Sequence, residues 1–191
     1  MQSTRDRILD ATIGFIKIDP SLNQVSISDI AKIADIGKST VYEYFENKDA
    51  LIEEAYFHLL DKYHTILISK IENKTFKEAM IEQLSKILEV MEDVKIIMEV
   101  IMNTTTKLGF LRFNPCSEKI ELIQKNMTDR FNDIFKLGLV NGEISIDDRP
   151  YRSNVIQSII SGLMFQYVDN KIDIKRDELL ELIYNEIYRT L

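Results

Sequence analysis

The sequence is poor in the residues that cross-link or break a chain: one Cys, three Pro, six Gly and no Trp among 191 residues. A lone cysteine, Cys116, excludes an internal disulfide framework and fits a reducing cytoplasm. Few breakers spread over long periodic stretches point towards helices. The longest apolar stretch, Ile159 to Val168, is interrupted by Ser161, Gly162 and Gln166, far short of the ~18 unbroken apolar residues of a membrane span. No apolar run follows the opening Met-Gln-Ser-Thr-Arg-Asp-Arg, so a secretory signal is not expected and the protein reads as cytoplasmic.

Catalytic motifs are also missing. There is no Gly-rich phosphate loop, nucleophile motif or cysteine pair. The two histidines, His58 and His64, point to different sides of one helix. Glu54 and His58 share a face, but two groups make no metal site, and an exposed ion pair is the ordinary reading. An all-helical enzyme is therefore the weaker function class, and neither metal nor cofactor is expected.

Positive charge is scarce too. The formal net charge is −7, and the first fifty residues carry eight acidic against six basic groups. The totals argue against nucleic acid as a partner. Any case for it must rest on where the cations sit.

What is present is a 45% hydrophobic, 29% charged chain able to bury a core. Its apolar residues recur at helical spacing. A first helix is predicted from Ser3 as N-cap, through Ile8, Leu9, Thr12, Ile13, Phe15 and Ile16, stopped by Asp19-Pro20. A second starts at Ser26, with Asp29 at the third position, and runs to about Ala34. A third spans Lys38 to Phe45 after the Asp35-Ile36-Gly37 interruption, and Asn47 caps a long fourth helix. Further helices are predicted near Thr75–Met91, Asp93–Lys107, Ser117–Val140, Pro150–Asn170 and Lys175–Leu191. Asn141-Gly142 serves as a left-handed stop and Pro150 lies in a first turn. The fold class is all-α, with about nine helices and no strand pattern.

Two short helices joined by three residues form a geometry that can set one helix into a major groove. Ala31 is small where the helices approach. Ile36 is apolar inside the turn, and Val41 and Phe45 share an inward face with Ile30 and Ile36. Ser39 and Glu43 point opposite to Val41, with Thr40 and Tyr42 on the flanks. Glu43 is unusual beside phosphates. It can accept from a cytosine amino group, or pair with Lys38 or another cation.

The strings Ser26-Ile27-Ser28-Asp29-Ile30-Ala31-Lys32, Gly37-Lys38-Ser39-Thr40-Val41-Tyr42-Glu43-Tyr44-Phe45 and Asn47-Lys48-Asp49-Ala50-Leu51 resemble the N-terminal region of the TetR family of bacterial regulators. The likeness covers about residues 4–52 and includes the Ile-Ala pair, the Thr-x-Tyr-x-x-Phe helix and the Lys before an acidic residue. Asp35 stands where the family usually has Gly, and Gly37 where it often has a Ser cap.

The resemblance implies a helix-turn-helix DNA-binding domain over 1–47 and a larger ligand-binding and dimerisation domain over 48–191. Lys38, Ser39 and Thr40 would then meet bases. Tyr42, Tyr44 and Lys48 would hold the backbone, with Ser28 at the groove edge and Glu43 on the same surface. Arg5 and Arg7 would add flanking contacts. A local cluster of cations answers the charge objection.

The second domain has two readings from its residues. The segment Val155 to Val168 and the last helix (Leu179, Leu180, Ile183, Ile187) are apolar on several sides, with Ser158, Ser161 and Gly162 allowing close approach. That suits an ordinary core or a two-helix interface with a second copy; the resemblance implies a homodimer through the last two helices. Met91, Met98, Met102, Phe110, Phe113, Met127, Phe131 and Phe135 suit an adaptable apolar cavity or a plain core equally well. The resemblance places a pocket for a small, largely apolar effector here. Tyr56, His64, Asn103 and Cys116 are its polar candidates, beside Met98, Met102, Phe110, Phe131 and Phe135. The implied function is a ligand-responsive repressor on a near-palindromic double-stranded operator. The alternative is a helix-turn-helix dimer regulated by a protein partner and sensing no small molecule.

Overall fold

The computed structural model describes residues 2–19, 22–72, 75–103, 115–145, 147 and 150–191, with the side chains of all but 96–103 and 115–117. Among these residues there are eight α-helices and no strand. They are α1 (Thr4–Ile16), α2 (Ile27–Ile33), α3 (Lys38–Tyr44), α4 (Lys48–Ile68), α5 (Phe76–Asn103), α6 (Pro115–Val140), α7 (Arg152–Val168) and α8 (Arg176–Thr190).

Local chemistry sets several helix starts. Ser3 accepts from the Asp6 amide at 3.1 Å, and Asn47 Oδ1 accepts from the Ala50 amide at 2.9 Å. At α5, Thr75 Oγ1 accepts from the Glu78 amide at 3.2 Å, while Glu143 Oε2 takes the Phe76 amide at 2.7 Å. α6 ends as the sequence suggests. Gly142 has φ 68, and the amides of Glu143 and Ile144 turn back to the Gly138 carbonyl at 2.9 and 3.3 Å.

Three expectations are corrected. The helices expected at 75–91 and 93–107 are one continuous α5 of 28 residues, because Glu92-Asp93 carries no Pro or Gly to break it. α1 stops at Ile16, before the Asp19-Pro20 pair, with Lys17 as its C-cap. Pro150 lies outside the helical first turn: Tyr151 is the α7 N-cap in a left-handed conformation, φ 61.

The chain divides into two compact units, Met1–His64 with Ile96–Glu121, and Thr65–Lys95 with Leu122–Leu191. In the first, α1 packs on α2 and α2 on α3. Ile8, Leu9, Ile16, Ile30 and Val41 are wholly or almost wholly buried there. In the second, α7 packs on α8, and the core gathers Phe76, Met80, Leu84, Met164, Leu179 and Ile183. No described helix is long and apolar enough to cross a membrane.

Candidate nucleic-acid interface

The segment from Ser26 to Phe45 is built from the caps inward. Ser26 and Asp29 form a reciprocal box: Ser26 Oγ accepts from the Asp29 amide at 3.2 Å, and Asp29 Oδ2 accepts from the Ser26 amide at 2.9 Å. The Ser26 hydrogen bonds hold the exposed Asp29 carboxyl below its ordinary range. α2 then turns at Asp35, whose φ of 54 is a left-handed conformation that Asp tolerates better than most residues. The Ile36 amide closes the turn on the Ala31 carbonyl at 3.0 Å. Gly37 starts α3 from an extended conformation with no side-chain cap.

This turn fixes which side of α3 is free. Ala31, Val41 and Phe45 are buried, with Ile36 half-buried beside them. Lys38, Ser39, Tyr42, Glu43 and Tyr44 are exposed, Thr40 is half-buried, and Ser28 is exposed on α2. Tyr42 and Tyr44 keep 50% and 44% of their surface in water, more than phenol rings sealing a core would. Among the described residues, the side chains of Lys38, Ser39, Thr40, Tyr42, Glu43 and Tyr44 make no hydrogen bond or ion pair. The Lys38–Glu43 pair considered from the sequence is not formed. The two lie five residues apart on a helix, which is not a facing interval.

Arg5, Arg7 and Lys48 have scaffold contacts that the sequence did not reveal. Arg7 donates to the carbonyls of Ala34 and, at 3.0 Å, Asp35, so α1 satisfies the C-terminal end of α2. Arg5 pairs with Glu54 and lies over the Phe45 ring at 5.6 Å. Arg5 and Arg7, expected to flank the DNA, thus each have intrachain partners as well. Lys48, expected at the DNA backbone, is half-buried, and its Nζ donates to the Leu22 carbonyl at 2.6 Å. Leu22 itself is buried with φ 48. Nothing about a leucine signals a left-handed turn in advance, so this anchor was illegible.

A polar seam joins α1 to α4. Glu54, His58 and Lys62 recur every four residues on α4. Glu54 takes Arg5, Lys62 takes Asp10, and His58 Nε2 lies 3.6 Å from Asp10 Oδ1. The Glu54–His58 pair read from the sequence is thus replaced by two partners on α1. Burial pushes the Asp10 carboxyl up, but Lys62, Gln2 and His58 together outweigh it and hold the group below its ordinary value.

The residues proposed for an effector are described only in part. The side chains of Met98, Met102, Asn103 and Cys116, and all of Phe110, lie outside the described residues. Tyr56 is buried and His64 half-buried, and each is engaged with a neighbour. Phe131 and Phe135 pack against the core of the second unit, Phe135 with its ring 5.7 Å from that of Phe76. The sequence reading overlooked Gln83, which is fully buried. Its Nε2 donates to the Leu67 carbonyl at 3.1 Å, while Oε1 has no hydrogen-bond partner among the described residues. Among the described residues no three His, Cys, Asp or Glu gather as a metal site.

On α7 the buried side is Ile156, Ile160 and Met164. Val155 and Phe165 are exposed, and a Cβ built on Gly162 meets nothing within 4 Å. The hydroxyls of Ser158 and Ser161 donate to carbonyls of their own helix at 2.8 Å, so the outward side needs no polar partner.

Residues 20–55 match the family described as bacterial regulatory proteins, tetR family. No curated protein matches the chain in sequence. Solved structures resemble it over nearly its whole length. A TetR family transcription regulator from Marinobacter aquaeolei is 18% identical, with 98% of this chain and 94% of that one covered at a TM-score of 0.61. A tetR-family transcriptional regulator from Streptomyces coelicolor is 15% identical, with 100% and 80% covered at 0.65. The TetR family transcriptional regulator PfmR from Thermus thermophilus is 14% identical, with 96% and 97% covered at 0.62. At these identities the structures establish the shared fold, while the matched segment carries the helix-turn-helix described above.

Proposed function

We propose that this TetR-family, DNA-binding transcriptional regulator is a ligand-responsive repressor that binds a near-palindromic operator as a homodimer. The family matched over residues 20–55 is one of regulatory proteins, which supports a regulator over an enzyme. The observation that carries the reading is the outward row of α3. Lys38, Ser39, Tyr42, Glu43 and Tyr44 stand exposed and, among the described residues, without hydrogen-bond or ion-pair partners, on a helix whose other side is fastened by Val41. Small Ser39 and Thr40 let the helix backbone approach base edges, and Lys38 offers donors to guanine acceptors. Tyr42, Tyr44, Ser28 and Lys48 hold phosphates and fix register.

In this reading residues 1–47 bind DNA, and residues 48–191 dimerise and take the effector. The outward side of α7, with α8, is the face for the second copy. Two recognition helices related by a twofold axis then read two half-sites. A small apolar effector favours a dimer whose recognition helices no longer fit the operator spacing. The effector side rests on the family likeness. The packing of Phe131 and Phe135 into the core favours the second reading, a dimer that senses no small molecule. A cytoplasmic location accompanies either.

The test is a mobility-shift assay with the DNA upstream of this gene and its neighbours, using a folded, dimeric sample. A specific shift at moderate salt is expected. Binding that is equally strong on unrelated duplexes, or no binding, overturns the reading.

A further inference from the structure

Glu43 is the one acidic side chain on α3, and it lies in the row meant for DNA. It is exposed, and among the described residues it has neither an ion pair nor a hydrogen bond. Four residues separate it from Ser39, so the two share one face of the helix, opposite the buried Val41. An unpaired carboxylate on this face is repelled by every phosphate it nears. Nothing within α3 offsets that repulsion, because its lone cation, Lys38, is not in reach of a pair.

The carboxylate is favourable only opposite a hydrogen-bond donor. In the major groove the donors are amino groups, N4 of cytosine and N6 of adenine. Adenine places its N7 acceptor beside N6, where it opposes a group that can only accept. Cytosine N4 has no such neighbour on its own base.

We propose that Glu43 is a specificity-determining residue that demands a cytosine in each operator half-site. The inference rests on the DNA-binding reading above and deepens it by naming a base. Glu43 contributes little to affinity as such. Its carboxylate weakens binding wherever cytosine is absent, so it works largely by rejecting other sites.

The experiment is enrichment from a randomised double-stranded DNA library, with the full-length dimer and with Glu43→Ala and Glu43→Gln. Because Glu43 is exposed and unpartnered, both variants keep the fold, which circular dichroism checks. The natural protein is expected to enrich a motif with one fixed C·G pair per half-site. Glu43→Ala should keep the rest of the motif, lose the preference at that pair, and bind random duplex several-fold more tightly. Glu43→Gln should exchange the cytosine for adenine, since an amide matches N6 and N7 together. On the natural motif, Glu43→Ala should discriminate against a change at that pair at least about fivefold less well.

An identical motif for the natural protein and Glu43→Ala overturns the inference while leaving DNA binding intact. So does a motif with no fixed cytosine, or a uniform rise in affinity without a change of motif. If the natural protein enriches nothing, the DNA-binding reading falls and this inference with it.

Discussion

Lys48 Nζ donates to the carbonyl oxygen of Leu22 at 2.6 Å, tying the first residue of α4 to a buried left-handed residue in the loop after α1. A left-handed leucine costs about 1–2 kcal/mol, so something must hold it, and a charge-assisted hydrogen bond is of the right size. Lys48→Met keeps the aliphatic stem and removes the donor. It is expected to lower the unfolding free energy by about 1–2 kcal/mol in urea titration. It should also weaken binding to all duplexes alike and reduce the salt slope by about one. A stability loss with an unchanged slope would make Lys48 a scaffold residue alone.

The seam between α1 and α4 should respond to acid. The Asp10 carboxyl is held below its ordinary value of 3.8 in the folded chain, despite the burial that raises it, because Lys62 and its other partners favour the anion. A carboxyl depressed on folding adds stability above its unfolded value, and loses it as pH falls through the folded one. Asp10→Asn is therefore expected to be less stable than the natural protein near pH 7, by a few tenths to about 1 kcal/mol for such a partly exposed pair. The difference should shrink below about pH 4 and vanish in stronger acid. Thermal unfolding of both proteins from pH 3 to 7 measures it. A gap as wide at pH 3 as at pH 7 contradicts the ion-pair origin.

Two helical glycines should respond oppositely to alanine. A Cβ on Gly138 would fall 2.9 Å from Phe76 Cγ and Cδ2 and 3.0 Å from Ile144 Cδ1. The Phe76 ring cannot easily retreat, because Phe135 and Tyr184 stand 5.7 and 6.0 Å from it. Gly138→Ala gains about 1 kcal/mol of helix propensity and loses about 1–3 to overpacking. A net destabilisation is expected. At Gly14 nothing lies within 4 Å, so Gly14→Ala should stabilise by roughly 0.5–1 kcal/mol. Chemical denaturation compares the two, and destabilisation by both would refute the packing account.

The parts of the fold governed by neighbours in sequence were legible. Ser3, Ser26 and Asn47 cap the helices they precede, since a cap is a contact spanning three residues. Asp35 adopts the left-handed conformation, and Ala31 and Val41 are buried as the helical period requires. Contacts spanning many residues were not legible. Arg7 finds carbonyls 27 and 28 positions away, and Asp10 meets Lys62 across 52. A sequence shows that such cations exist, without showing whether DNA or a helix end receives them. Gln83, a polar residue wholly buried in α5, gives no local signal at all.

The face of α7 turned away from its own core is the proposed seat of the second copy. Val155, Ser158, Gly162 and Phe165 recur at three- and four-residue intervals along it. None of them belongs to the buried set of Ile156, Ile160 and Met164, and the space above Gly162 is open. Such a row lets a second helix come close, and the exposed rims of Val155 and Phe165 supply the apolar area to reward it. Gly162→Glu places a charge at the centre of that row without disturbing the buried side. It is expected to leave helix content unchanged and yield a monomer by light scattering at micromolar concentration, because an uncompensated charge in a closed interface is strongly unfavourable. Specific operator binding should fall with it, since one half-site alone provides half the contacts. Gly162→Ala, which adds only a methyl, separates crowding from charge and should remain dimeric. A Gly162→Glu protein that stays dimeric and binds its operator normally would move the interface to another face of the chain.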